Sequence, residues 1–154
     1  METGRGRRGT MLVFLFYLGL MLWLLFFRQP YETDALGYWE TVGGNLNLRP
    51  FETVRRLFLC IQNGSAALRR FAWINLLGNV LLFVPPGFFL PRLFPGLRRL
   101  WRTLLVSAAV IAAVECIQLF ALVGSCDVDD LLLNLLGIAL GYPVFWLWRK
   151  RRRE

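Results

Sequence analysis

The 154-residue sequence contains no histidine. That absence removes imidazole acid/base chemistry and the commonest metal ligand, so catalysis would have to rest on carboxylates, hydroxyls or thiols. Cysteine is scarce as well. Cys60, Cys116 and Cys126 form no Cys-x-x-Cys pair, which excludes the usual zinc and redox motifs. Serine occurs only as Ser65, Ser107 and Ser125, none beside a histidine or lysine that could activate it, so an enzyme is not the first expectation. Acidic residues number 10 against 18 Lys and Arg. Neither Lys nor Arg occurs in any of four long apolar runs.

Those runs dominate what is present. They cover residues 11–27, 71–91, 103–123 and 131–148 of a chain that is 56% hydrophobic and 15% aromatic, with mean hydropathy +0.50. A soluble domain is usually about 45–50% apolar and disperses its polar residues. Each run is close to the ~20 residues with which a helix rising ~1.5 Å per residue crosses a ~30 Å hydrocarbon core. The sequence therefore predicts an all-α, polytopic integral membrane protein, a bundle of four transmembrane helices with no length left for a second globular domain.

A basic pI of 10.4 suggests nucleic acid at first sight, but the positions of the charges point to membrane topology instead. Lys and Arg number three before the first run, six in residues 28–70, four in 92–102, none in 124–130 and five in 149–154. The positive-inside rule then puts residues 1–10, the 92–102 loop and the 149–154 tail in the cytoplasm. The Arg-rich start resembles a signal peptide, yet its apolar stretch is too long and no small-x-small cleavage site follows Phe27, so it reads as an anchor. Trp23, Phe26, Phe27, Trp101, Phe145, Trp146 and Trp148 suit interfacial belts, and the terminal basic run suits anionic inner-leaflet lipid.

The external loop, 28–70, predicts one short amphipathic helix. Pro50 suits a first helical turn, Phe51, Val54, Leu57, Phe58 and Ile61 fall on one stripe, and Asn63-Gly64 supplies a stop. Upstream, Gly37 to Leu48 holds Gly43-Gly44 and two asparagines and reads as turns. Cys60 and Cys126 share the outer side, which leaves a disulfide between them open.

Polar residues within the runs carry the functional argument, because an ionisable residue in a span is costly unless paired or hydrated. Glu115 lies eight residues from the predicted end of the third span at 123, roughly 12 Å deep at ~1.5 Å per residue. Asn79 lies at matching depth in the second. Gln118 shares a face with Glu115, as Asn75 does with Asn79 and Asn134 with Asp130, all beneath the acidic Cys126-Asp127-Val128-Asp129-Asp130 turn. Interhelical packing and helix capping would use the same residue types; for Asn75, Asn134 and Asp127 taken singly they are the simpler account. Glu115 is not so easily absorbed. Asn75, Asn79, Glu115, Gln118, Asp127, Asp129, Asp130 and Asn134 thus form the candidate ligand-binding set of an outward-facing polar pocket. An Asp-x-Asp-Asp turn offers hard oxygen ligands without the spacing of a recognised cation loop, so no metal and no cofactor is assigned.

The stretch from Asn79 to Pro91, Glu115-Cys-Ile-Gln118, and Asp127-Val-Asp-Asp-Leu-Leu-Leu-Asn134 through Gly141-Tyr142 resembles the VanZ-like family of bacterial membrane proteins, as does Asn47-Leu-Arg-Pro50-Phe51. The resemblance spans about residues 45 to 142. It implies a small protein of the bacterial cytoplasmic membrane, linked through the family's namesake to resistance against teicoplanin-type glycopeptides, with Asn79, Glu115, Gln118, Asp127, Asp129, Asp130 and Asn134 as the shared polar set. Gly124 stands where the family often has arginine, and Pro86 where it often has leucine.

Pro85-Pro86-Gly87 should kink or end the second span, and Gly137 and Gly141, four apart, offer a face for close helix approach, within the bundle or toward a second copy. The expected function is a non-catalytic protein that engages a membrane lipid, a lipid-linked wall precursor or a glycopeptide. The runner-up is a metal- or carboxylate-dependent enzyme acting on an outer-leaflet lipid. No nucleic-acid partner is expected, and the oligomeric state is left open.

Overall fold

A computed structural model describes residues 4–26 and 37–152. The predicted end of the first span at residue 27, the start of the loop over 28–36, and Arg153 lie outside the described residues.

Four helices are long and apolar enough to cross a membrane: α1 (Gly4–Phe26), α4 (Ala66–Leu93), α5 (Leu100–Phe120) and α6 (Val128–Arg151). Two shorter helices, α2 (Tyr38–Gly44) and α3 (Glu52–Asn63), lie between α1 and α4. In a hydrocarbon medium every backbone polar group must be paired within the segment, which is why long apolar sequence becomes uninterrupted helix. At 28 residues, α4 is roughly 42 Å long at ~1.5 Å per residue and projects beyond a ~30 Å core.

Span ends depart from expectation. α4 begins at Ala66, where the Ser65 side chain accepts from the Leu68 N–H, and α5 stops at Phe120 rather than 123. Glu115 therefore sits only about 8 Å from the end of its helix at ~1.5 Å per residue. Residues 38–44, expected as turns, form α2. Beyond it Leu46–Asn47 (β1) pairs in parallel with Cys126–Asp127 (β2), in register Leu46 with Cys126 and Asn47 with Asp127. This two-residue ladder ties the segment before α3 to the turn before α6.

Pro85 and Pro86 do not end the second span; with Pro91 they lie inside α4, which continues to Leu93. Proline lacks an N–H, so Pro86 leaves the Leu82 carbonyl without its helical donor. The Tyr17 hydroxyl of α1 supplies one instead, donating to the Leu82 oxygen. α1 is otherwise peripheral, with Phe16 77% exposed toward what would be lipid, though Phe14 is buried and meets Phe89 with ring centres 5.3 Å apart.

The centre of the bundle is the α4–α6 pair. A Cβ added to Gly137 would lie 2.1 Å from the Val80 carbonyl oxygen, and one on Gly141 would lie 1.9 Å from that of Val84. From the other side, a Cβ on Gly87 would meet the Ile138 oxygen at 2.2 Å. Three glycines thus let two backbones touch, the basis of small-residue packing in membranes. The Gly137/Gly141 face is filled by α4 and is not free for a second copy.

α3 lies across one end of the bundle. Leu57 is buried with Ala72 and Leu76, while Val54, Cys60, Ile61 and Leu133 pack around them. The predicted stripe is only partly used, since Phe51 precedes the helix and Phe51 and Phe58 are exposed. Cys60 and Cys126 are both free thiols, so the two are not bridged. At the opposite end, residues 94–99 join α4 to α5, the Tyr142 hydroxyl donates to the Arg98 carbonyl at 2.7 Å, and Arg92 lies 4.2 Å from the centre of the Trp148 ring. These aromatic and basic groups make that end suited to an interface.

Candidate functional site

At the α3 end, a cleft of about 500 Å³ opens among all four spans. Met21 and Leu25 of α1, Phe83 of α4, and Ile111 and Val114 of α5 supply an apolar wall. Facing it are Asn75 and Asn79 of α4, Glu115 and Gln118 of α5, and Asp130 and Asn134 of α6. The helical spacings that put each polar pair on one face are the cause: Asn75/Asn79, Glu115/Gln118 and Asp130/Asn134 each turn inward together.

Three of the four cleft amides make a hydrogen bond through their NH2 group. Asn79 Nδ2 donates to Asp130 Oδ1 at 2.5 Å, joining α4 to α6. Gln118 Nε2 donates to the Leu25 carbonyl at 2.8 Å, fixing this end of α1 against α5. Asn75 Nδ2 turns back to the Phe71 carbonyl of its own helix at 2.9 Å. Two acceptors have no partner. Glu115 Oε1 and Asn134 Oδ1 are buried and make no hydrogen bond, although the residues are only 7% and 6% exposed. Buried polar atoms are normally satisfied, and an orphaned one calls for an explanation.

Asp127 and Asp129, expected in the same pocket, are used elsewhere. The Asp127 carboxylate accepts from Thr53 Oγ1 at 2.5 Å, from Asn47 Nδ2 at 3.2 Å and from the Asp129 N–H at 2.9 Å, the last capping α6. Asp129 is fully buried and accepts the N–H groups of Phe51 and Val54 at 2.5 and 3.0 Å. It thereby caps α3, whose own leading residue, Phe51, provides no side-chain cap and sits in the left-handed region at φ 65°. Both aspartates fasten α3 and β1 over the bundle. Among the described residues, no group of three or more cysteine or acidic side chains comes together in a way that could hold a metal.

Other cleft residues carry no such motif. Phe83, Ile111 and Val114 resemble any core residue in sequence, and Asn47 and Thr53 reveal their role only through contacts with Asp127 that span 80 and 74 residues. The resemblance of Asn47-Leu-Arg-Pro50-Phe51 to a family motif was the available signal for the first. Gly124, at the rim of the cleft, has no room for a larger side chain without displacing Gln118, since an added Cβ would lie 3.0 Å from the Gln118 Cβ. Beside it, burial pushes the Cys126 thiol up to about 11, reinforced by the nearby Glu115 carboxylate and Cys116 thiol.

No curated protein and no solved structure matches the chain. A family model described as VanZ/LLP1 matches residues 14–149, which include the second half of α1, all of α3, α4 and α5, α6 to Arg149, and every polar residue of the cleft. The chain belongs to the VanZ/LLP1 family.

Proposed function

We propose that this protein is a receptor-like component of the bacterial cytoplasmic membrane whose cleft faces outward and engages a cell-envelope lipid, a lipid-linked wall precursor or a glycopeptide, contributing to teicoplanin-type resistance. The cleft carries the proposal. It sets six amide and acidic side chains against an apolar wall at one end of the bundle only, the combination that binds the head and flank of an amphiphile. The orientation rests on charge. Arg98, Arg99, Arg102 and the Arg149 to Arg152 run all lie at the end away from α3, so the positive-inside rule turns the cleft outward and both termini toward the cytoplasm.

Among the described residues lining the cleft, Ser125 supplies the one hydroxyl, no Lys or Arg stands beside it to activate it, and the two carboxylates, Glu115 and Asp130, are the remaining reactive groups. Binding without turnover is therefore the favoured mode. The test is teicoplanin and vancomycin susceptibility in a susceptible bacterial host carrying either this protein or an empty plasmid. A several-fold rise in the teicoplanin inhibitory concentration, with vancomycin little changed, is expected. Equal inhibitory concentrations in the two strains would remove the resistance role from this member.

A further inference from the structure

We infer that a groove between α1 and the end of α4, on the side of the bundle away from the cleft, seats the phosphate of an anionic phospholipid on Arg7 and Arg8. The groove holds about 380 Å³ and is lined by Arg7, Arg8 and Met11 of α1 and by Leu93 and Phe94, where α4 stops. One contact builds it. Arg7 Nη2 donates at 3.1 Å to the Leu93 carbonyl, among the last carbonyls of α4, which have no donor within the helix. The bond uses one of the five N–H groups of the guanidinium and holds it at the groove, where the planar fork suits a phosphate. Charge at this end is one-sided. The described acids Glu40, Glu52, Glu115, Asp127, Asp129 and Asp130 all lie toward the α3 end, whereas Arg7 and Arg8 share theirs with Arg98, Arg99, Arg102 and the basic end of α6. Among the described residues no carboxylate is at hand to balance the pair.

Basic recesses between membrane helices on the positively charged side take anionic head groups. The walls favour a lipid over a soluble anion. Met11, Leu93 and Phe94 are apolar, and Leu12, Leu15 and Phe16 follow Arg8 at helical spacing along α1 and are all exposed. A chain joined to the phosphate therefore has an apolar track leading from the arginines into the bilayer. Inorganic phosphate would leave that track bare. A zwitterionic head group would bring a further cation to an end that already holds an excess of them. The site stands apart from the cleft and does not depend on what the cleft binds.

The experiment uses the full chain in detergent micelles doped with phosphatidylglycerol or phosphatidylcholine, with retained lipid weighed by native mass spectrometry and soluble glycerol phosphate added as a competitor. Wild type is compared with Arg8→Gln, with Arg7→Gln/Arg8→Gln, and with Lys150→Gln/Arg151→Gln, which removes as much charge from the same end but leaves the groove intact. Thermal unfolding reports whether each variant is folded, and Arg8→Gln keeps the bond from Arg7 to Leu93 should the double variant fail to fold. Wild type is expected to retain phosphatidylglycerol at least about tenfold more tightly than phosphatidylcholine. Arg8→Gln should lower that preference several-fold and the Arg7/Arg8 double variant abolish it, while the α6 double variant keeps most of it. Equal retention of the two lipids by wild type overturns the site. So does an equal loss in the groove and α6 variants, which would mark diffuse attraction to a basic surface. Displacement of the lipid by an equimolar amount of glycerol phosphate overturns the phospholipid in favour of a free phosphate.

Discussion

The carboxylate of Asp129, in the first turn of α6, accepts the backbone N–H of Phe51 at 2.5 Å across 78 residues of sequence. A second oxygen takes the Val54 N–H at 3.0 Å, so one buried side chain supplies the cap that α3 lacks. Asp129→Ala strands both N–H groups, and at roughly 1.5–3 kcal/mol for a hydrogen bond to a charged group the expected loss is about 3 kcal/mol. Asp129→Asn keeps one acceptor and should lose about half as much. Thermal unfolding in detergent, followed by circular dichroism, measures both; equal midpoints for Asp129→Ala and wild type would contradict the capping role.

Tyr17 and Pro86 form a coupled pair through the Leu82 carbonyl, which Pro86 deprives of its helical donor and Tyr17 supplies. Tyr17→Phe should therefore loosen α1 at a cost of about 1 kcal/mol, within the range for polar contacts between membrane helices. Pro86→Leu restores the backbone bond, and in that background Tyr17→Phe should cost little. A double-mutant cycle on unfolding midpoints checks the coupling, and strictly additive effects would refute it.

Gly137→Ala and Gly141→Ala each drive a methyl group into a carbonyl oxygen of α4, and overpacking of this kind costs about 1–3 kcal/mol. Gly78→Ala, on the same α4 helix but with open space around it, should be neutral or slightly stabilising. Protease resistance of the three variants in detergent separates them. Because α4 occupies the glycine face, these substitutions should lower the folded fraction without changing the mass of the folded species.

The raised Cys126 thiol gives a pH prediction. Only the thiolate reacts with maleimide, so alkylation of Cys126 at pH 8 should be slow and rise about tenfold per pH unit until pH approaches about 11. In the unfolded chain the thiol returns to the ordinary range near ~8.5, so the folded state prefers the protonated form. The contribution of this group to stability is then intact below that range and falls as pH climbs toward about 11. Peptide mass spectrometry after timed labelling reads the rate at Cys126 separately from Cys60 and Cys116.

The four spans were legible because the predominantly apolar runs 11–27, 71–91, 103–123 and 131–148, 77 residues in all, leave no other way to pair their backbones. The pairing of amides and acids on shared helix faces was legible too, since i, i+3 and i, i+4 spacing fixes which of them turn the same way. What escaped was long-range. α2 and β1 contain Gly43-Gly44 and asparagines that favour turns locally, and their structure is stabilised by contacts near Asn45 to Asn47, where the Cys126 N–H reaches the Asn45 carbonyl at 3.0 Å. Asp129 read as a residue of the polar pocket, because an acid at the start of a helix does not reveal that its oxygens reach another helix 75 and 78 residues away. The glycine pair announced close approach, but not that α4 was the partner.

The most direct test pairs thermal stability with teicoplanin susceptibility for Glu115→Gln at matched membrane levels. A buried carboxylate oxygen without a partner is a cost to folding, so replacing it with an amide should leave the unfolding midpoint unchanged or raise it. The account predicts that this equally stable variant loses the protection given by wild type. A variant that keeps full protection, or one that loses it only because its midpoint has collapsed, would contradict the claim that Glu115 is there to meet a ligand.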